Sequence, residues 1–101
     1  MEAVIARLKI KDGKEDEALK KLEAMASAVE KEEPDALAYA VHRLKDDPSQ
    51  IIFFEVYKDG ETLQSHGQTP HMGTFRENFG DVFDVSQIKI ERVERIGGFV
   101  R

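Results

Sequence analysis

Two of the three histidines in this chain lie in one short stretch, "SHGQTPHMGTF", with His66 and His71 five residues apart. An imidazole at the edge of an apolar hollow can act as a general base near neutral pH. His66 follows Leu63 by three residues, so both point the same way from a short helical turn, inward. The other reading of His66 is a half-buried ring that hydrogen-bonds a backbone carbonyl. His71 comes directly after Pro70, at the start of a second helix, and helps to hold that start. A zinc pair on one helix needs histidines four residues apart on an unbroken segment. Pro70 interrupts the segment, and neither a cysteine nor the third histidine lies near in sequence, so no metal is expected. Glu55 is the other unusual residue. It breaks "IIFFEVY", a run otherwise apolar on both faces, and a buried carboxylate is costly unless paired. It either orients a substrate or a histidine, or pairs with Arg7 on a neighbouring strand.

These groups must be positioned by regular elements. "AVIARLKI" alternates, with Val4, Ala6, Leu8 and Ile10 on one face, as in a strand with one buried side. "KEDEALKKLEAMASAVEKEE" repeats Ala18, Leu22, Met25, Ala26 and Val29 at helical spacing, opens on three acids that suit the helix dipole, and stops at Pro34. Its last turn carries Glu30, Glu32 and Glu33, which the same dipole disfavours. "ALAYAVHRL" and "QIIFFEVYK" are strands joined through Asp-Pro-Ser turn chemistry. If the turn is Asp46 to Ser49, then His42 faces Phe53, and His42, Phe53, Glu55 and Tyr57 share one face. Asp59 caps a short helix ending at His66. Thr69-Pro70 opens the next one, striped by Met72, Phe75 and Phe79 and ended near Gly80. "SQIKIERVERI" alternates as a last strand.

The order predicts an α+β, ferredoxin-like βαββαβ domain over residues 1–101, a four-stranded antiparallel sheet with its helices on one face. The other sheet face stays bare although Ile52, Phe54 and Val56 make it apolar, so a homodimer joined sheet to sheet is expected. Tyr39, Tyr57, Phe53, Phe75, Phe79 and Met72 either line a cavity for a flat aromatic ligand or are ordinary core; the candidate substrate-binding residues are His42, Phe53, Tyr57, His71, Met72, Phe75 and Phe79, and the candidates for catalysis are His66 and Glu55. The net charge of −5, without a basic cluster, argues against nucleic acid and anionic membrane as partners. There is no cysteine, no leader-like N-terminus and no long apolar run, so a cytoplasmic protein is expected. No dinucleotide, nucleotide or calcium motif is present.

"FFEVYKDGETLQSHGQTPHMGTF" resembles the antibiotic biosynthesis monooxygenase domain family: an apolar strand with a glutamate, a short helix ending in histidine, then Thr-Pro-His-Met. "VIARLKIKDGKEDEALKKL" is similar to the family's first strand and helix, and "EKEEPDALAYAVHR" to its Glu-Pro turn and second strand. The resemblance implies a dimeric α+β barrel whose site lies between helices and sheet. It implies that His66 and Glu55 belong to that site and that His71 matches the histidine of the Thr-Pro-His stretch. Members include cofactor-free oxygenases of quinols and aromatic polyketides, heme-degrading enzymes and an isomerase of a phosphorylated signalling molecule. The heme degraders use an asparagine on the first strand and a tryptophan; here Arg7 stands in that strand and there is no tryptophan. The expected activity is therefore cofactor-independent monooxygenation of a small phenol or quinol. The alternatives are isomerisation of a phosphorylated carbonyl compound, with Arg43 or Arg76 on the phosphate, and non-catalytic ligand binding.

Overall fold

The computed structural model describes Met1–Arg101. The elements are β1 (Glu2–Lys9), α1 (Glu15–Glu32), β2 (Ala36–Arg43), β3 (Gln50–Tyr57), α2 (Gly60–His66), α3 (Pro70–Arg76), α4 (Phe79–Val82) and β4 (Lys89–Val93), with a single 3-10 turn at Val85–Gln87. The four strands form one antiparallel sheet in the order β2-β3-β1-β4. This is the expected ferredoxin-like α+β arrangement.

Strand alternation decides which residues meet the helices. Val4, Ala6 and Leu8 of β1 and Ile51 and Phe53 of β3 are buried against Ala18, Leu22, Met25 and Val29 of α1, with Phe75, Val82 and Phe83 completing the core. Phe75, Phe79 and Phe83 form a mutually contacting cluster: Phe79 and Phe83 stack with ring centroids 4.9 Å apart, and Phe75 meets Phe79 edge-on at 5.9 Å and Phe83 at 5.8 Å. The opposite face carries Ile5, Ile52, Phe54 and Val93, and no helix covers it. No helix is long and apolar enough to cross a membrane.

Two local expectations need correction. The β2–β3 register is one residue off the expected one: Tyr39 faces Glu55, Val41 faces Phe53 and His42 faces Ile52. The cause is in the turn. Asp47 accepts from both Ser49 N–H (3.1 Å) and Ser49 Oγ–H (2.7 Å), and Leu44 N–H bonds Gln50 O. The loop is therefore Lys45 to Ser49, one residue longer than the four assumed. A one-residue slip moves a side chain to the other face. His42 consequently lies on the bare face, exposed, with Nδ1 3.3 Å from Ile52 O, and does not join Glu55. The second helix also ends earlier than its apolar stripe suggests. Glu77 is extended (φ −60°, ψ 129°) and Asn78 left-handed (φ 55°), so the helix stops at Arg76 and Gly80 falls inside the short α4.

Candidate functional site

His66 is the last residue of α2, whose start is fixed by Asp59 accepting from Thr62 N–H at 2.8 Å. Three residues on, Thr69 caps α3 by accepting from Met72 N–H, with Pro70 at the first helical position. Thr69 Oγ–H also donates to His66 O at 3.0 Å, so the turn between the two helices is tied to the histidine itself. Both caps follow the sequence expectation. They hold the His66 and His71 rings on the same side of the turn.

What meets those rings is Glu33. The residue before a proline is driven out of the helical region, and Glu33, before Pro34, has φ −123° and ψ 77°. Its side chain therefore leaves the surface of α1 and turns inward, where it is 9% exposed. His66 Nδ1 lies 3.0 and 2.9 Å from its two oxygens, and His71 Nε2 lies 2.5 Å from Oε2. An ionised carboxylate only accepts, so each facing ring nitrogen carries the hydrogen. For neutral His66 this leaves Nε2 as an acceptor. Nε2 has no protein partner, and no polar side-chain atom in the protein is both sealed from solvent and unpartnered. His66 Nε2 is therefore open to approach.

His66 lines a cavity of about 300 Å³ between the sheet and α2, α3 and α4. Its walls are Ala6, Leu8, Tyr39, Phe53, Met72, Phe75, Phe79, Ile88 and Ile90, and three ionisable groups converge there: Glu55, His66 and Arg76. A cavity of roughly 150 Å³ takes benzene, so this one has room for a substituted or fused aromatic ring. Apolar walls with a few convergent polar groups are the usual composition of a small-molecule site.

Glu55 is buried, and Tyr57 O–H donates to its Oε1 at 2.5 Å. Burial pushes the Glu55 carboxyl above its ordinary value; the Tyr57 hydrogen bond and the nearby His66 oppose that rise without cancelling it. Tyr39 and Tyr57 are both held well above the usual phenol range, first by burial and then by Glu55, through its charge on Tyr39 and through its hydrogen bond and charge on Tyr57. The rings of Tyr39 and Tyr57 lie 5.6 and 5.2 Å from that of His66, packed around it as a collar.

The sequence-derived residues thus separate. His66, Glu55, Phe53, Met72, Phe75 and Phe79 line one cavity. Tyr57 does not: it is fully buried behind Glu55 and acts on it through its hydroxyl. His71 is also outside the cavity; its ring is engaged by the Glu33 carboxylate as well as starting α3. His42 is on the other sheet face. Arg7 faces Ile52, so the alternative pairing of Glu55 with Arg7 does not occur; Glu55 faces Val4 on β1. Glu33 was missed, although an unexplained acid at a helix end, directly before proline, was its signal. Tyr39 was not among the expected binding residues; the register slip brings it opposite Glu55.

Comparison with known proteins agrees with this architecture. The family model described as antibiotic biosynthesis monooxygenase matches residues 1–78. Among curated proteins none matches. Similar solved structures include one from Bacteroides thetaiotaomicron VPI-5482, provisionally named an antibiotic biosynthesis monooxygenase (19% identity, TM-score 0.89, covering 99% of this chain and 93% of that one). A protein of Caulobacter crescentus CB15 carries the same provisional name (25% identity, TM-score 0.86, covering 95% and 90%). Rv0793 from Mycobacterium tuberculosis is 21% identical with a TM-score of 0.84, covering 96% of each chain. With the matched segment running from β1 through the Thr-Pro-His stretch, the chain belongs to the antibiotic biosynthesis monooxygenase family.

Proposed function

We propose that this protein is a cofactor-independent monooxygenase of a small electron-rich phenol or quinol. The observation that carries this reading is the placement of His66: Nδ1 is held by Glu33, while Nε2 is open and the ring borders a largely apolar cavity. His66 Nε2 takes a phenolic proton, and Glu33 stabilises the imidazolium that results. The phenolate passes one electron to dioxygen, and the resulting pair combines to form a carbon–oxygen bond. The oxygen–oxygen bond then breaks as the ring carbon loses its hydrogen. One oxygen atom stays in the quinone product and the other leaves as water, so a hydroquinone and dioxygen balance to a hydroxyquinone and water without an external reductant. Phe53, Phe75 and Phe79 keep water from the radical pair. Glu55, raised by burial, holds a substrate hydroxyl through the oxygen that Tyr57 leaves free.

The same reading treats residues 1–101 as one domain, active in the cytoplasm as a homodimer joined through the apolar sheet face of Ile5, Ile52 and Phe54. A second reading, isomerisation of a small phosphorylated carbonyl compound, is favoured by one observation: Arg76 lines the cavity and could meet a phosphate. An oxygen electrode separates the two. Hydroquinones should drive oxygen uptake that falls at least ~100-fold in His66→Ala, the usual scale of a lost general base. Turnover indifferent to both oxygen and His66 would refute the oxygenase reading.

A further inference from the structure

The oxygenase chemistry uses one side of Glu33 only. It needs the carboxylate to hold His66 and assigns no task to His71. Yet His71 Nε2 contacts the very oxygen, Oε2, that His66 Nδ1 contacts. One carboxylate oxygen and two imidazole nitrogens, from three separate elements, lie within 4.8 Å of one another, and their side chains are only 9 to 15% exposed. Two histidines and a carboxylate are a donor set for first-row transition metals, not for magnesium or calcium, which take oxygen ligands.

A second feature points to the same ligand. Behind Glu33, away from the apolar cavity, opens a cleft of about 390 Å³ without a hydrophobic residue in its lining. Glu32, Glu33, Asp35, Asp59 and Glu61 border it, against the one amine of Lys58. A cleft of one sign concentrates the opposite ion, and Glu33 is part of this one's lining. The structure therefore combines a nitrogen–oxygen donor set with an acidic cleft that shares Glu33 with it.

We propose that Glu33, His66 and His71 form a binding site for a divalent transition-metal ion of the zinc type, reached through the acidic cleft. Ligands about 2 Å from zinc in a tetrahedron sit roughly 3.3 Å apart, so each imidazole backs away from Oε2, from 2.9 Å and 2.5 Å, and the two nitrogens, within 4.8 Å of each other, close by at most about 1.5 Å. The ion replaces the two hydrogens that now point at Glu33, and water from the cleft completes its coordination. One consequence rests on the base role proposed above. With the ion on Nδ1, the single hydrogen of a neutral His66 ring moves to Nε2. His66 Nε2 then donates where it had accepted, and the metal-bound protein loses its base.

The test uses the full chain, stripped with chelator, exchanged into clean buffer and titrated with zinc chloride by calorimetry, without substrate. One zinc per chain is expected, and affinity should fall roughly 100-fold or more in Glu33→Gln and in His71→Gln, a loss at least as large as that of an outer-shell partner. His71→Gln keeps a donor to Glu33 while removing the imidazole, so it carries the test if Glu33→Gln does not fold. Histidine nitrogen NMR of the unaltered protein should show zinc acting on His66 Nδ1 and His71 Nε2 together, with His42 unmoved. Absence of saturable binding, or undiminished binding by folded His71→Gln, would overturn the proposal. A failed oxygen assay would not, because no step of this titration involves dioxygen.

Discussion

Replacing Glu33 by glutamine removes one charge and keeps the shape. In the unaltered protein the carboxylate accepts from His66 at 2.9 Å and from His71 at 2.5 Å, both nearly out of water. Hydrogen bonds to a charged group contribute about 1.5–3 kcal/mol each, and neutral ones about 0.5–1.5 kcal/mol. An amide can still meet both rings: its oxygen accepts from one, and its NH₂ donates to the other after that ring shifts its hydrogen. Two charge-assisted bonds thus become two neutral ones, a loss of about 2 kcal/mol in total. The unfolding entropy of a chain of 101 residues is roughly 0.2 kcal/mol per kelvin, so Tm should fall by about 10 °C. Differential scanning calorimetry at neutral pH measures this directly, and histidine nitrogen NMR reports whether Nδ1 of His66 carries the hydrogen. A Tm change below about 2 °C, or a His66 ring with its hydrogen on Nε2 in the metal-free unaltered protein, would refute the carboxylate clamp.

Further outcomes follow from the same geometry. Burial raises the Glu55 carboxyl in the folded protein above its ordinary value of 4.5, so the folded state holds that proton more tightly than the unfolded chain does. Its contribution to stability is full below the unfolded value and is lost as pH rises through the folded one. Glu55→Gln, which still accepts from Tyr57, should therefore gain Tm relative to the unaltered protein as pH is raised above 4.5; a difference constant with pH would contradict this. Thr69→Ala removes the α3 cap and the bond to His66 O, and should cost about 1 kcal/mol, roughly 5 °C in Tm. Phe54→Lys places a charge in the middle of the bare sheet face and should convert a dimer into a monomer in light scattering; a protein monomeric before the change would sink the sheet-to-sheet pairing.

Much of the architecture was legible in residue order. Alternation in β1 and β3, the 3.6-residue repeat of α1 and the caps at Asp59 and Thr69 are local signals, and each element formed where its signal lay. The misses came from interactions between segments distant in sequence or from single backbone choices. Asp47 folding onto Ser49 added one residue to a loop and sent His42 to the wrong face for chemistry. Asn78 turned left-handed where the apolar stripe continued. Glu33 looked misplaced at a helix C-terminus because its partners lie 33 and 38 residues away. Proline alone indicated that its side chain would leave the helix, and nothing local indicated that two imidazoles would receive it. Tyr57 read as a binding residue because its face was right, but depth along that face put its hydroxyl on Glu55 instead of in the cavity.

The most direct test of His66 as the base of an oxygenase is isotopic. Metal-free protein, a hydroquinone that supports oxygen uptake and ¹⁸O₂ should yield product carrying a single labelled oxygen, with the second label in water, and His66→Ala should form almost none. Product without label, or label incorporated equally well by His66→Ala, would contradict the chemistry assigned to this cavity.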